Sequence, residues 1–224
     1  MDIVITGRTY NVLARSYLGY GQDQARKRYL GSIAENANCA ENPHCVVKSP
    51  CHNNGFKESL KFNDKERIFE GTAQAETCKK IIRELFFCRS ADLKKCPFSD
   101  QPKLRGKFYG VSRSSFYYVL TTIDAVCSDC QNNLVTPRKI NRSSKWFCNK
   151  AYNHIKEDPY AKNDCFAGNL IYELLTAGYK VHLNKKLRVA KSPFYSCVLS
   201  DLASEWDWGW SWPCFDKDLS AFHM

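Results

Sequence analysis

Twelve cysteines in a chain of 224 residues constrain this protein more than any other feature, because thiols at that density survive chiefly as disulfides or metal ligands. The count is even, which supports oxidative folding in the secretory pathway. The sequon Asn141-Arg142-Ser143 is compatible with that compartment and makes Asn141 a glycosylation candidate. Zinc is the chemical alternative, since Cys39, His44, Cys45, Cys51 and His52 cluster and Cys127 with Cys130 forms a C-x2-C. A second C-x2-C or an H-x3-H at finger spacing is missing, so disulfides are expected at both places, with a redox pair the other reading of Cys127 and Cys130.

The chain starts Met1-Asp2-Ile3-Val4-Ile5-Thr6-Gly7, without a basic n-region, a long apolar h-region or a small-residue cleavage site. A disulfide-rich chain without a secretion signal is inconsistent with itself, and the expectation is a fragment whose upstream residues are missing. At 44% hydrophobic and 25% charged, the chain has the composition of one compact domain or at most two small ones. Long disorder is excluded. No window approaches the roughly 18 to 20 apolar residues of a bilayer-spanning helix. Lys plus Arg number 33 against 23 Asp plus Glu, a net charge of +10 that suits an anionic partner. The densest basic clusters, Arg26-Lys27-Arg28 and Lys185-Lys186-Leu187-Arg188, are too short to track a phosphate backbone. They are expected to be solvated faces, and no nucleic acid partner is expected.

Asp2 to Thr6 and Tyr10 to Ser16, joined at Gly7-Arg8-Thr9, have the composition of a hairpin or two consecutive strands. Gln22 to Ala34 has helical composition, and Asn36 to Phe56, with Asn, Pro, Gly and three cysteines, is expected to be a long tethered loop. Cys78, Ile81, Ile82, Leu85 and Phe86 fall on one helical stripe, and Phe116, Val119, Leu120 and Ile123 on another. Between them, Phe108 to Ser112 is expected as a strand end. A further helix is expected over Trp146 to Ile155. Asn163 is expected as the N-cap of a helix whose stripe is Phe166, Leu170, Ile171, Leu174 and Leu175, with Gly178 left-handed at its end. Short strands are expected at Lys180 to Leu183 and Leu187 to Ala190. Strands alternating with helices indicate an α/β layer fold.

Gly7 to Arg26, Leu104 to Tyr118, and Asn163 to Tyr179 with Glu205 to Trp212 are three stretches that resemble the C-terminal lobe of the apyrase or ectonucleoside triphosphate diphosphohydrolase family, nucleoside phosphatases of actin-like two-lobed architecture. The first is G-R-T-Y-N-V-L-A-R-S-Y-L-G-Y-G-Q-D-Q-A-R, Gly7 to Arg26, similar to the strand and turn after the family's second phosphate loop. The second is L-R-G-K-F-Y-G-V-S-R-S-S-F-Y-Y, Leu104 to Tyr118, similar to the segment that presents an aromatic ring to the nucleobase. The third links N-D-C-F-A-G-N-L-I-Y-E-L-L-T-A-G-Y, Asn163 to Tyr179, with E-W-D-W-G-W-S-W, Glu205 to Trp212, where the family has a G-W-x-L-G-type motif. The resemblance implies an α/β, actin-like (ribonuclease-H-like) lobe with a mixed sheet and flanking helices, stabilised by disulfides. It also implies the pairs Cys51 with Cys78, Cys88 with Cys96, and Cys148 with Cys165. Proximity alone pairs Cys39 with Cys45, Cys127 with Cys130, and Cys197 with Cys214.

Hydrolysis of a nucleoside polyphosphate needs amides and hydroxyls around the phosphates, a divalent cation and a carboxylate that activates water. In the resembled family these come mainly from the N-terminal lobe, with calcium or magnesium bound alongside the nucleotide. This sequence contains neither a D-x-G-S-T-G-type nor a G-G-x-S-type loop, so residues 1 to 224 are expected to be the C-terminal lobe alone, and inactive by itself. The resemblance places Phe116 at the base-stacking position, with Tyr117 and Tyr118 as alternatives if the register slips; packing on its own helix stripe is the competing role of Phe116. Tyr160 and Asp164 replace the arginine and tyrosine that the family places opposite. Asp23 and Gln24 are candidates beside the sugar and phosphate, with a plain surface turn as the alternative. Trp206 and Gly209 match the last family motif and are candidates near the hinge.

The expected function is the nucleobase and sugar side of a nucleoside di- or triphosphate phosphohydrolase in the endoplasmic reticulum or Golgi lumen, at the cell surface or outside the cell. A membrane anchor in the parent protein is compatible with that expectation. The alternative is a non-catalytic, secreted, cysteine-rich module that binds nucleotides or a protein.

Overall fold

The computed structural model describes residues 2–6, 11–15, 19–37, 45–62, 65–88, 98, 109–111, 115–128 and 133–190. Asp2–Thr6 (β1) and Asn11–Arg15 (β2) form an antiparallel hairpin registered with Asp2 opposite Arg15. Helix α1 spans Gln22–Glu35. Val46–Ser49 (β3), Lys57–Phe62 (β4) and Lys65–Gly71 (β5) make a sheet ordered β3-β5-β4, with β5 parallel to β3 and antiparallel to β4. Helix α2 covers Ala75–Phe86. Tyr109–Val111 (β6), helix α3 (Ser115–Thr122), Asn133–Val135 (β7), helix α4 (Pro137–Asn149), helix α5 (Asp164–Glu173) and Leu187–Ala190 (β8) follow. A second sheet, ordered β6-β8-β7, has β8 parallel to β6 and antiparallel to β7.

The fold is therefore mixed α/β with flanking helices. Where one mixed sheet was expected, the described residues form two three-stranded mixed sheets and a hairpin. Each small sheet contributes to its own apolar cluster. One cluster gathers Tyr29 and Leu30 of α1, Val47, Phe69 and the α2 residues Cys78, Ile82 and Phe86. The other gathers Leu120 and Ile123 with Val135, Ile140, Phe147, Leu187 and Val189. Helix α5 serves both, giving Phe166 and Leu170 to the first and Cys165, Ala167 and Ile171 to the second. It is buried nearly all round, as befits a central helix rather than a one-sided surface helix.

Two close approaches explain two glycines. A Cβ on Gly71 would lie 2.0 Å from the carbonyl oxygen of Asn53, so backbone crosses backbone there. On Gly168 it would lie 2.6 Å from Ser144 Oγ and 3.1 Å from Ile123 Cδ1, which lets α5 sit against α4 and the end of α3. Disulfides tie the same joints. Cys51–Cys78 links the segment after β3 to α2, and Cys148–Cys165 links the end of α4 to the start of α5. Cys45, Cys88 and Cys127 are also disulfide-bonded. Cys39, Cys96, Cys130, Cys197 and Cys214 lie outside the described residues.

Several expected boundaries move, each for a tertiary reason. The expected loop from Asn36 to Phe56 contains β3, a strand too short to show a pattern, recruited by β5. The helix expected over Trp146 to Ile155 runs instead from Pro137 to Asn149, started by Thr136, whose hydroxyl accepts from Lys139 N at 3.2 Å. It ends where the Asn53 amide donates to the carbonyls of Phe147, Cys148 and Lys150 at 2.7, 3.3 and 3.1 Å, capping α4 from outside its own segment. Asn163 occupies the N-cap position of α5 without a side-chain cap bond. Gly178 is not left-handed; it closes a π-helical turn, Leu174–Gly178, and the positive φ of 58° falls on Lys180. Its small size answers to packing, since a Cβ would meet Phe87 and Phe98 at 3.1 Å. No strand forms over residues 180–183.

Candidate functional site

Helix α3 carries the expected base-stacking residue. Its buried face is Tyr117, Val119, Leu120 and Ile123. Phe116 is half-buried and packs on the edge of the second apolar cluster. Tyr117, by contrast, is only 2% exposed, and its hydroxyl donates to the carbonyl of Ser128 at 2.8 Å, so its ring face is core. Tyr118 is 56% exposed and meets the Tyr117 ring edge-to-face at 5.7 Å. Of the three adjacent aromatics, Phe116 and Tyr118 offer ring surface to solvent.

The far end of α3 meets the start of α5. Asp164, 4% exposed, lies near the Thr122 side chain, whose hydroxyl donates to the carbonyl of Tyr118 at 2.9 Å. Burial drives the Asp164 carboxyl up to about 7, the neighbouring Thr122 hydroxyl resists the rise, and the Asp158 charge adds to it. Six residues earlier, Asp158 accepts from the amides of Tyr160 and Ala161 at 2.9 and 3.4 Å, an Asx turn that holds Tyr160 82% exposed.

The same segment is pinned on its other side. Lys162 donates to Glu58 of β4 at 2.9 Å, and Arg26 of α1 pairs with the other oxygen of Glu58. Burial opposes the Glu58 charge, but the hydrogen bonds from Lys162 and Arg26 outweigh it and hold the carboxyl below its ordinary value. Residues 158 to 164 thus join α1 to α3. Asp23 and Gln24 are exposed on the first turn of α1, and Asp23 lies one turn before Arg26. Asp23 also suits the positive end of the helix dipole. Phe116 packs on the second apolar cluster, whereas Asp23 and Gln24 stand on α1, whose buried residues belong to the first. Trp206 and Gly209 lie outside the described residues.

Beneath β3 lies a buried polar chain. Ser49 Oγ bonds His52 Nδ1 at 2.6 Å and the Tyr29 hydroxyl at 2.9 Å, and the Tyr29 oxygen accepts from Cys51 N at 3.2 Å. His52 stacks on Phe56 at 4.3 Å. Burial pulls His52 down to about 3, reinforced by the Arg26 charge, so it is a neutral core residue. With Cys45 and Cys51 in disulfides and His52 held this way, the described members of the Cys39–His52 group are not a zinc set. Cys39 and His44 lie outside the described residues. Among the described residues no three His, Cys, Asp or Glu converge on a point where a metal could sit, and no helix is long and apolar enough to cross a membrane.

Sequence reading missed the Arg26–Glu58–Lys162 joint, whose members are 32 and 104 residues apart and leave no local signal. The exposed turn at Tyr160 was findable, because Asp158-Pro159 is a turn-initiating pair.

A family model described as the GDA1/CD39 nucleoside phosphatase family matches residues 2–195. The chain is 24% identical over 229 residues to ectonucleoside triphosphate diphosphohydrolase 2 of Gallus gallus, covering 92% of the chain and 43% of that protein. It is 28% identical over 206 residues to ectonucleoside triphosphate diphosphohydrolase 3 of Homo sapiens, covering 80% and 37%. Ectonucleoside triphosphate diphosphohydrolase 1 of Mus musculus is 29% identical over 195 residues, covering 75% and 36%. The chain thus spans well under half the length of these curated relatives. A match running through β1 to β8, over both apolar clusters and both described disulfides, makes the chain a member of the GDA1/CD39 nucleoside phosphatase family.

Proposed function

We propose that the chain forms the nucleobase and sugar wall of a nucleoside di- or triphosphate phosphohydrolase, as the C-terminal lobe of an actin-like, two-lobed protein. The observation that carries this reading is the family match over residues 2–195, and the half-buried ring of Phe116 at the edge of its cluster supports it. In this reading Phe116 stacks on the base and is worth ~1 to 3 kcal/mol of affinity. Tyr160 stands where the family has the arginine of the opposite wall and offers a second ring, while Asp164 stands where it has a tyrosine and is buried, with no exposed group for the base. Asp23 and Gln24 border the sugar and phosphates. The N-terminal lobe supplies the phosphate loops and the carboxylate that activates water. Calcium or magnesium would come bound to the nucleotide and would neutralise phosphate charge; the described residues contain no cage of His, Cys, Asp or Glu for it. Localisation in the secretory lumen, at the cell surface or outside the cell follows from the same reading and accords with the disulfides.

The test has two arms on the purified chain. Titration with a fluorescent-base nucleoside diphosphate in calcium or magnesium is expected to show saturable binding, weakened roughly 5- to 150-fold by Phe116→Ala. Equal affinities for the two chains would remove Phe116 from the wall. Phosphate release from ATP, UDP and GDP is expected to be absent; clear turnover with calcium would overturn the assignment of the cutting groups to the other lobe.

A further inference from the structure

The chain contains a single Asn-X-Ser/Thr sequon, Asn141-Arg142-Ser143, and the structure places it on α4 beside an open groove of about 480 Å³ shared with α2 and Tyr172. That volume is within the ~300 to 1,000 Å³ of ordinary ligand pockets. We propose that Asn141 carries an N-linked glycan whose first sugars lie in this groove. The proposal stands independently of any nucleotide site.

Three observations carry it. Lys79 donates to Asn141 Oδ1 at 2.6 Å, and the Asn141 Nδ2 makes no hydrogen bond among the described residues. An N-glycosidic link consumes one N–H of that nitrogen and leaves Oδ1 an acceptor, so the Lys79 contact survives the modification. Second, the groove wall is held rigidly. Lys79 is also bonded to Glu76 at 3.0 Å, and Arg83 grips the fully buried carboxylate of Glu173 through two bonds of 2.8 and 2.9 Å. Third, the lining mixes Lys79, Lys80 and Arg83 with Glu76 and Glu84. Such alternating donors and acceptors match a neutral, hydroxyl-rich ligand better than an anion. Tyr172 packs against the second apolar cluster with the Lys79 ammonium 5.2 Å from its ring centre, which fixes the inner wall of the groove.

The chemistry balances with a lipid-pyrophosphate-linked oligosaccharide as donor. Nδ2 attacks its anomeric carbon, a C–N bond forms, the C–O bond to pyrophosphate breaks with its electron pair leaving on that group, and Nδ2 loses one proton. The disulfides Cys51–Cys78 and Cys148–Cys165 indicate an oxidising compartment, which in eukaryotic cells is where such donors are used. Asn141 and Ser143 lie within one turn of α4, so the transfer precedes helix formation.

To test this, the full chain is secreted from eukaryotic cells behind a signal peptide and treated with a peptide-N-glycosidase. The expected result is a mass decrease equal to one glycan, with Asn141 converted to Asp, and no decrease in Ser143→Ala, which keeps Asn141 and its Lys79 contact. Ser143→Ala also serves if Asn141→Gln fails to fold. Seating in the groove is read by acetylation of Lys80, expected to be several-fold slower in the glycosylated chain than in Ser143→Ala. Secreted, disulfide-bonded chain with Asn141 unmodified overturns the site, and equal Lys80 rates overturn the seating.

Discussion

The two apolar clusters that share α5 are closed by different means. Around β3 and β5 the closure is backbone on backbone, with Gly71 against Asn53 and a stack of His52 on Phe56. Around α3 and α4 it is side chain on backbone, with Gly168 facing Ser144 and Ile123. Each region buries a titratable group whose charge burial opposes, and the two move in opposite directions, His52 down to about 3 and Asp164 up to about 7. A wall of backbone cannot yield, whereas a wall of side chains can. The first region should therefore fail abruptly where the second gives way by degrees.

The largest effect that would break this contrast is at the glycines. Gly71→Ala is expected to cost about 4 kcal/mol or to prevent folding, because the obstructing atom is a carbonyl oxygen. Chemical denaturation checks it, and a cost below about 1 kcal/mol would mean that the crossing is not tight. Removing Cys148–Cys165 by the double change to serine is expected to cost about 3 kcal/mol for a separation of 17 residues, read as a lower urea midpoint. Gly168→Ala is expected to cost less, about 2 kcal/mol, since Ser144 and Ile123 can shift. If Gly168→Ala proved as damaging as Gly71→Ala, the distinction between the two closures would disappear.

The smallest effect sharpens the electrostatic half. His52 is neutral when folded, so the unfolded chain takes up the extra proton and stability falls as pH drops from 6.5 towards 3, by about 1.4 kcal/mol per unit at most. Arg26, Glu58 and Lys162 face it. Asp164 has the reverse sign. Its folded value is raised, so its contribution is fully present below 3.8 and is lost as pH rises through about 7. Between these limits the two slopes oppose each other. Asp164→Asn is expected to leave a chain that loses stability on acidification from pH 6.5, and His52→Gln one that loses stability as pH rises towards 7. Urea midpoints measured from pH 5 to 7 test both, and parallel profiles for the two variants would refute the opposition.

Much of the architecture was legible from residue patterns. The stripe of Cys78, Ile82 and Phe86 did place α2 on a core, and the runs around Gly7 did mark a hairpin. Helix α5 was recognised, but only as a one-sided stripe, because a helix buried on every side carries few charges to define its outer face. The candidate site was less legible. Its aromatic residues were visible as a run, Phe116-Tyr117-Tyr118, yet which ring turns inward depends on α3 docking against the second cluster. The ion-pair joint at Glu58 was invisible, since its partners come from α1 and from the segment before α5.

Local chemistry determined what these residues could decide among neighbours: helical stripes, a hairpin around Gly7, a redox compartment compatible with twelve cysteines, and membership of a nucleoside phosphatase family. Tertiary structure alone decided where α4 ends, why Gly178 is glycine and which acid is held above the ordinary carboxylate range. Asn53 reaches the α4 carbonyls from 94 residues away, Phe87 and Phe98 close on Gly178, and burial isolates Asp164. Such outcomes depend on distances through space, and a polypeptide's local propensities carry no information about which distant groups will meet.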